Sequence, residues 1–219
     1  MSPSTYIPRI PADFIGPART AAKLRFFQAG RFRGTRVGNF RLTLYGPPGT
    51  AKTRLANALA LHLCGTADGI RNGLVRSKNG QSVSTEQVRE WTESAHYLPI
   101  STADNPVPRA VYIVNECDAM STGALNEWRS FSDDLKDGND LILTTNKDLT
   151  ELQPQLQTRG EASHIGAPPE SEKAAWLFEK FGVDATAARE IARKCGGCVR
   201  AALLDAQTHL DTLAVEALG

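Results

Sequence analysis

The sequence predicts an α/β fold with a parallel sheet, followed by a small helical unit. Three observations carry this. Short β-prone runs alternate with stretches of helical period between residues 41 and 145, which is the pattern of a parallel sheet with crossover helices. A glycine-rich loop sits between the first such run and the helix after it. Beyond residue 166 only helical patterning remains.

Taken in order, residues 1–17 hold Pro3, Pro8, Pro11 and Pro17 and read as an extended arm. Residues 18–29 place Ala21, Leu24 and Phe27 at helical spacing, with Gly30 as the expected C-terminal stop. Arg41-Leu-Thr-Leu-Tyr45 is a strand, and TRLANALALHLC is the helix beyond the glycine loop. Residues 65–82 are loop-like, with a short strand at Leu74–Val75. Ser84 is an expected N-cap, because Gln87 lies three residues on in an S-x-x-Q box. Val111–Val114 and Leu141–Thr145 are continuous apolar runs suited to strands buried on both faces. STGALNEWRSFSDDL between them reads as a helix. Gly166-Ala-Pro-Pro169 looks like a linker, and helices are expected over 170–181, 184–194 and about 198–216. The expected domains are therefore 1–165, an α/β unit with an arm, and 166–219, a helical unit.

Gly46-Pro47-Pro48-Gly49-Thr50-Ala51-Lys52-Thr53 follows the phosphate-loop pattern G-x-x-x-x-G-K-[ST] except at Ala51. Backbone N–H groups and a helix N-terminus there converge on phosphate oxygens. Lys52 is placed at the β/γ-phosphates and the Thr53 hydroxyl on Mg²⁺; Arg54 follows on the same helix. The Ala51 methyl is tolerable at negative φ and costly otherwise. The run VYIVNECD offers the acid that such sites place at a strand tip. Asn115 stands at the position of a metal-binding Asp, and Glu116 follows as the group that polarises water. Asp118, two residues on, could compensate in part for the missing charge, though on a continuing strand it would point away from the neighbours of Glu116. Thr145 or Asn146, closing the next strand, could position the attacking water. Two isolated arginines, Arg159 and Arg200, suit either a plain surface or the edge of a nucleotide site.

The bulk numbers exclude whole classes. Of the 219 residues, 41% are hydrophobic and 22% charged, so the chain is globular rather than disordered. No apolar run approaches the roughly 20 residues of a membrane helix, and no secretory leader is visible. Four cysteines make no disulfide framework, and a cytoplasmic setting is expected. Cys195-Gly-Gly-Cys198 is expected to be a tight turn. The net charge of +1 hides a division. Residues 1–60 carry ten basic side chains and one acid, Asp13; the rest carry 15 basic and 23 acidic.

Together these segments resemble the AAA+ ATPases, in particular the small subunits of replication clamp loaders, over roughly residues 8–216. Phe14-Ile15-Gly16 is similar to the short motif near the start of that family and puts Ile15 at the nucleotide. GPPGTAKT resembles its Walker A and VYIVNECDAMS its Walker B. LILTTN is similar to the sensor-1 strand, with Asn146 as the sensor. LQPQLQTRG is similar to the segment whose arginine reaches a neighbouring subunit's nucleotide, which assigns Arg159 in trans. GGCVRAALLDAQ is similar to the sensor-2 helix, which assigns Arg200 in cis. The resemblance implies a five-stranded parallel sheet, a three-helix lid, ATP with Mg²⁺, and a homo- or hetero-oligomeric ring or spiral. DNA and a sliding clamp are the implied partners, with Arg76, Lys78 and Arg89 on a DNA-facing segment. It also turns the charge division into a nucleotide pocket plus a head-to-tail interface of opposite charge. A structural subunit with weak or no hydrolysis, a helicase loader and a protein remodeller are the alternatives.

Overall fold

The computed structural model describes residues 2–97, 99–157 and 160–217. Five strands form one parallel sheet in the order β2-β3-β4-β1-β5. They are β1 (Arg41–Tyr45), β2 (Val75–Asn79), β3 (Ala110–Asn115), β4 (Asn139–Thr145) and β5 (Glu161–His164). In register, Leu42 faces Ile142 and Val114 faces Leu143. Because the strands run one way, all their C-terminal tips lie along one edge, and that edge carries the site.

Helices cover both faces. α1 (Gly16–Phe32) and α2 (Lys52–Cys64) bury Ala22, Leu55, Leu59 and Leu63 against one side of the sheet. α3 (Thr85–Ala95) and α4 (Thr122–Asp133) bury Trp91, Leu125, Trp128 and Phe131 against the other. Ser84 caps α3 as expected, its hydroxyl accepting from Gln87 N at 3.1 Å. α5 (Glu170–Phe181), α6 (Ala185–Lys194) and α7 (Val199–Glu216) share a third core around Trp176, Leu177, Ile191 and Ala202.

Several expectations are corrected. α1 runs past Gly30 to Phe32, and its buried face is Ala18, Ala21, Ala22, Arg25 and Ala29. Leu24 and Phe27 point to solvent. Small residues let α1 lie close to α2, so the larger apolar side chains are displaced outward. β2 spans five residues rather than two. β5 has no apolar run at all (EASH). It is an edge strand held to β1 by backbone pairing and to α1 by Arg25, which is buried, pairs with Glu161 and donates to Ala162 O at 2.9 Å.

The arm is not a free extension. Residues 11–13 make a 3-10 turn, and Tyr6 is buried in the third core, edge-on to Trp176 (5.8 Å) and Phe181 (5.3 Å). Asp13 pairs with Lys180 of α5 at 3.0 Å, and Gly16 N donates to Glu172 at 3.0 Å. On the other side, the Arg54 guanidinium donates to Tyr6 O at 2.5 Å. The arm thus ties α2 to the three final helices. Among the described residues no helix is long and apolar enough to cross a membrane.

Candidate nucleotide site

β1 delivers the chain to Gly46, and α2 starts at Lys52, so the loop 46–51 is pinned at both ends. Inside it, the Thr50 hydroxyl donates to Pro47 O at 2.9 Å. Ala51 is left-handed, with φ 71°. The methyl therefore sits in the costly conformation, at about 1–2 kcal/mol, and the loop keeps its shape despite it.

The third core closes onto this loop. Val199 N donates to Gly49 O at 2.9 Å. A side chain on Gly49 would place its Cβ 2.3 Å from Cys198 Sγ, so only glycine lets the loop meet the start of α7. Cys198 caps α7 by accepting from Ala201 N at 3.4 Å, and its own N–H donates to Cys195 O at 3.0 Å. The C-x-x-C is a turn with free thiols, as the sequence reading expected.

A cleft of about 170 Å³ opens beside the loop, lined among others by Lys52, Thr53, Glu116, Thr144, Asn146 and Arg200. Pro48, Gly49, Thr50, Ala51 and Arg54 complete that wall. Ile15 lies in an adjoining small apolar cavity with Tyr6, Phe14, Trp176 and Leu203, and Thr50, Ala51 and Arg54 border both spaces. Residues far apart in sequence, from 15 to 200, meet here.

Lys52 is buried, and its Nζ donates to Gly46 O at 2.8 Å and Pro47 O at 2.6 Å. Burial, then the charge of Arg200, bring its pKa down to about 8, with Glu116 pulling the other way. Glu116 is left-handed as well, with φ 52°. Its carboxylate accepts from Asn79 Nδ2 at 2.8 Å, and its N–H donates to Thr144 Oγ1 at 3.3 Å.

Two expected roles change. Asn115 does not line the cleft. Its Oδ1 accepts from Thr144 Oγ1 at 3.1 Å and its Nδ2 donates to Ser77 Oγ at 3.2 Å, so its amide is already engaged. Asp118 does not replace the missing charge. It accepts from Thr145 Oγ1 at 2.8 Å and faces Lys147 at 3.8 Å. Of the three residues expected on the metal, Thr53 and Glu116 share the cleft and Asn115 does not. One hydroxyl and one carboxylate, completed by phosphate oxygens and water, is a donor set that Mg²⁺ accepts. Among the described residues no cluster of three or more His, Cys, Asp or Glu could hold a metal without such a ligand.

Arg159 lies outside the described residues. The expected DNA-facing bases are largely engaged within the chain. Arg76 donates to Tyr112 OH at 2.9 Å and to Ser94, and Arg89 pairs with Glu127 at 2.7 Å. Lys78 is exposed and makes no ion pair among the described residues. Ser77, Asn79, Thr144 and Tyr6 carry no clear signal in the sequence. Ser77 and Asn79 lie in a segment too polar to read as a strand, and Thr144 has the same polar character as its neighbours Thr145 and Asn146.

Comparison with known proteins places this arrangement. The family model for the ATPase family associated with various cellular activities (AAA) matches residues 42–166. Solved structures with the same fold include a variant of Thermotoga maritima RuvB (TM-score 0.74, 19% identity, 96% of this chain and 67% of that one). Another is the Thermotoga maritima RuvB Holliday junction branch migration motor (TM-score 0.70, 20% identity, 96% and 67%). This chain spans about two thirds of the length of those proteins. No curated protein matches the sequence. With its phosphate loop, its parallel sheet and more than half its length inside the family model, the chain belongs to the AAA family of ATPases.

Proposed function

We propose that this chain binds ATP with Mg²⁺ and hydrolyses it slowly as one subunit of a ring or spiral that acts on DNA, in the manner of a clamp-loader subunit. The observation that carries the reading is the cleft itself. The phosphate loop, Glu116, Asn146 and Arg200 line one space at the strand tips.

Each group has a task in it. Lys52 holds the loop carbonyls of Gly46 and Pro47 and would turn its ammonium to the β/γ-phosphates. Thr53 and Glu116 would hold Mg²⁺, whose contribution is to neutralise charge on the phosphates. Glu116 takes the proton of the attacking water, and Asn146 orients that water. Arg200 stabilises charge gathering on the γ-phosphate in cis, and Arg159 does so in a neighbouring subunit's site. With Asn115 neutral and turned to Ser77 and Thr144, Glu116 is the only carboxylate lining the cleft among the described residues, which favours slow turnover.

The DNA part of the reading rests on the resemblance to clamp loaders and on the fold shared with a branch migration motor. With Arg76 and Arg89 tied to their own chain, Lys78 is the remaining base of the expected segment, so DNA affinity depends on the assembly rather than on one subunit.

The test is a multiple-turnover ATPase assay with and without primed DNA, beside equilibrium ATP binding. Wild type should bind ATP and turn it over. Glu116→Gln should bind and keep only a small residual turnover, and Lys52→Ala should lose binding. Arg159→Ala should lose turnover by about 10³-fold or more and keep binding. Failure of wild type to bind ATP overturns the reading; equal loss of binding in Arg159→Ala removes the trans role.

A further inference from the structure

We propose that Thr144 is a positioning residue for Glu116, acting through a relay across the C-terminal halves of β2, β3 and β4. The inference rests on the ATPase reading above and adds to it the device that holds the base in place.

Glu116 has a backbone conformation that non-glycine residues adopt only when their surroundings over-determine it. Four contacts do so. Its N–H is taken by Thr144 Oγ1 at 3.3 Å. Its carbonyl accepts from Ala119 N at 2.9 Å and lies against Gly80, where an added Cβ would stand 2.2 Å from that oxygen. Its carboxylate accepts from Asn79. The backbone is therefore boxed on both sides of the Cα, and the box aims the side chain.

Thr144 can serve because its own hydroxyl is set. A threonine hydroxyl has one hydrogen and two lone pairs. The hydrogen goes to Asn115 Oδ1 at 3.1 Å, which turns a lone pair to the Glu116 N–H. Asn115 is set in turn by donating to Ser77 Oγ at 3.2 Å. Serine, asparagine and threonine thus form one chain of donors and acceptors across three adjacent strands, ending on the Glu116 peptide. Asn115 is then a working member of the site: its amide accepts from one strand and donates to the other. Thr144 is 2% exposed, so water offers poor replacement for the lost contact.

The experiment measures kcat and equilibrium ATP binding for wild type, Thr144→Ser, Thr144→Val and Glu116→Gln. A misplaced base costs turnover and spares binding. Thr144→Val should lower kcat by about 10–100-fold and leave ATP affinity within about twofold. Thr144→Ser should keep most of the rate. On the Glu116→Gln background, Thr144→Val should cost nothing further, because the group it positions is gone. Should the valine lower the melting temperature by more than about 5 °C, Thr144→Ala gives the same comparison without the added bulk. Wild-type turnover in the hydroxyl-free variants, parallel loss of ATP binding, or an additive loss on Glu116→Gln overturns the relay alone. Absence of turnover in wild type overturns the ATPase reading and the relay with it.

Discussion

Lys52 is the residue on which charge and burial conflict most directly. Its ammonium is desolvated and faces Arg200, and its pKa falls to about 8. The folded state therefore gives up this proton before the unfolded chain does, whose lysine titrates near 10.4. Between those values the unfolded state binds more protons, so this group makes stability rise with pH across that window, and below about 8 its full penalty is present. Nucleotide has the opposite preference, because phosphate favours the charged form. ATP affinity should be level below about pH 8 and fall above it, by up to about tenfold per unit. Lys52→Arg, which keeps its charge, should give a flat profile. Equilibrium binding from pH 7 to 9.5 checks this; parallel profiles for the two proteins would contradict it. Among the described residues, the two non-glycine residues with positive φ, Ala51 and Glu116, both border the same cleft. Strain is concentrated where the loop must aim its amides and where the carboxylate must leave the strand line.

At the scale of elements, the far end of the sheet is fixed by one buried ion pair. Arg109 and Asp140 are fully buried, and the guanidinium grips the carboxylate through Nε at 2.9 Å and Nη2 at 2.5 Å. The same guanidinium donates to Thr35 O at 2.5 Å and Gly38 O at 2.9 Å, while Asp140 accepts from Phe40 N at 2.8 Å. One pair thus fastens the 33–40 loop to β3 and β4. Asp140→Asn leaves the arginine charge buried without its partner and should cost about 3–5 kcal/mol, read by denaturant unfolding; a loss under about 1 kcal/mol would show that water reaches the site. Nothing in the sequence marks Arg109 or Asp140 for this role, because a pair 31 residues apart has no local period. What was legible were elements whose patterning is local. β1, α2 and α5 have it, and so does the phosphate loop with its flanking strand and helix. β5 was invisible because its pairing is backbone and its side chains are polar. The face of α1 was misassigned because alanines do the packing while Leu24 and Phe27 advertise themselves. In the site, residues that touch phosphate fall in a known spacing. Residues that hold Glu116 are small polar side chains on three strands, and only the sheet order brings them together.

At the scale of the molecule, the basic N-terminal third is less of a free surface than its composition implies. Arg19 donates to Phe14 O, Arg25 to Ala162 O, Arg36 to Ser101 and Arg54 to Tyr6 O. Much of the charge excess is spent tying the chain to itself, and the exposed remainder includes Arg9, Lys23, Arg31 and Arg33. The arm shows this best. Asp13 is held near a pKa of about 2: burial raises it, and hydrogen bonds from Arg9 N, the Tyr6 hydroxyl, Lys180 and Ile10 N more than offset that. Its contribution is present above pH 4 and is lost as pH falls toward 2.

That arm also gives the protein a built-in clock. Arg9 and Ile10 are exposed, yet both backbone N–H groups are bound to the Asp13 carboxylate, and Tyr6 is locked among Trp176 and Phe181. Trypsin can thread the Arg9–Ile10 bond only after this stretch peels away, and peeling undoes the tie that the arm makes between α2 and the last three helices. The rate of clipping at Arg9 therefore counts how often the arm lets go beside the nucleotide cleft. Saturating ATP should slow it and Asp13→Asn should speed it, both measured as the rate at which the fragment beginning at Ile10 appears; clipping indifferent to ATP would mean that the arm loosens without disturbing the cleft.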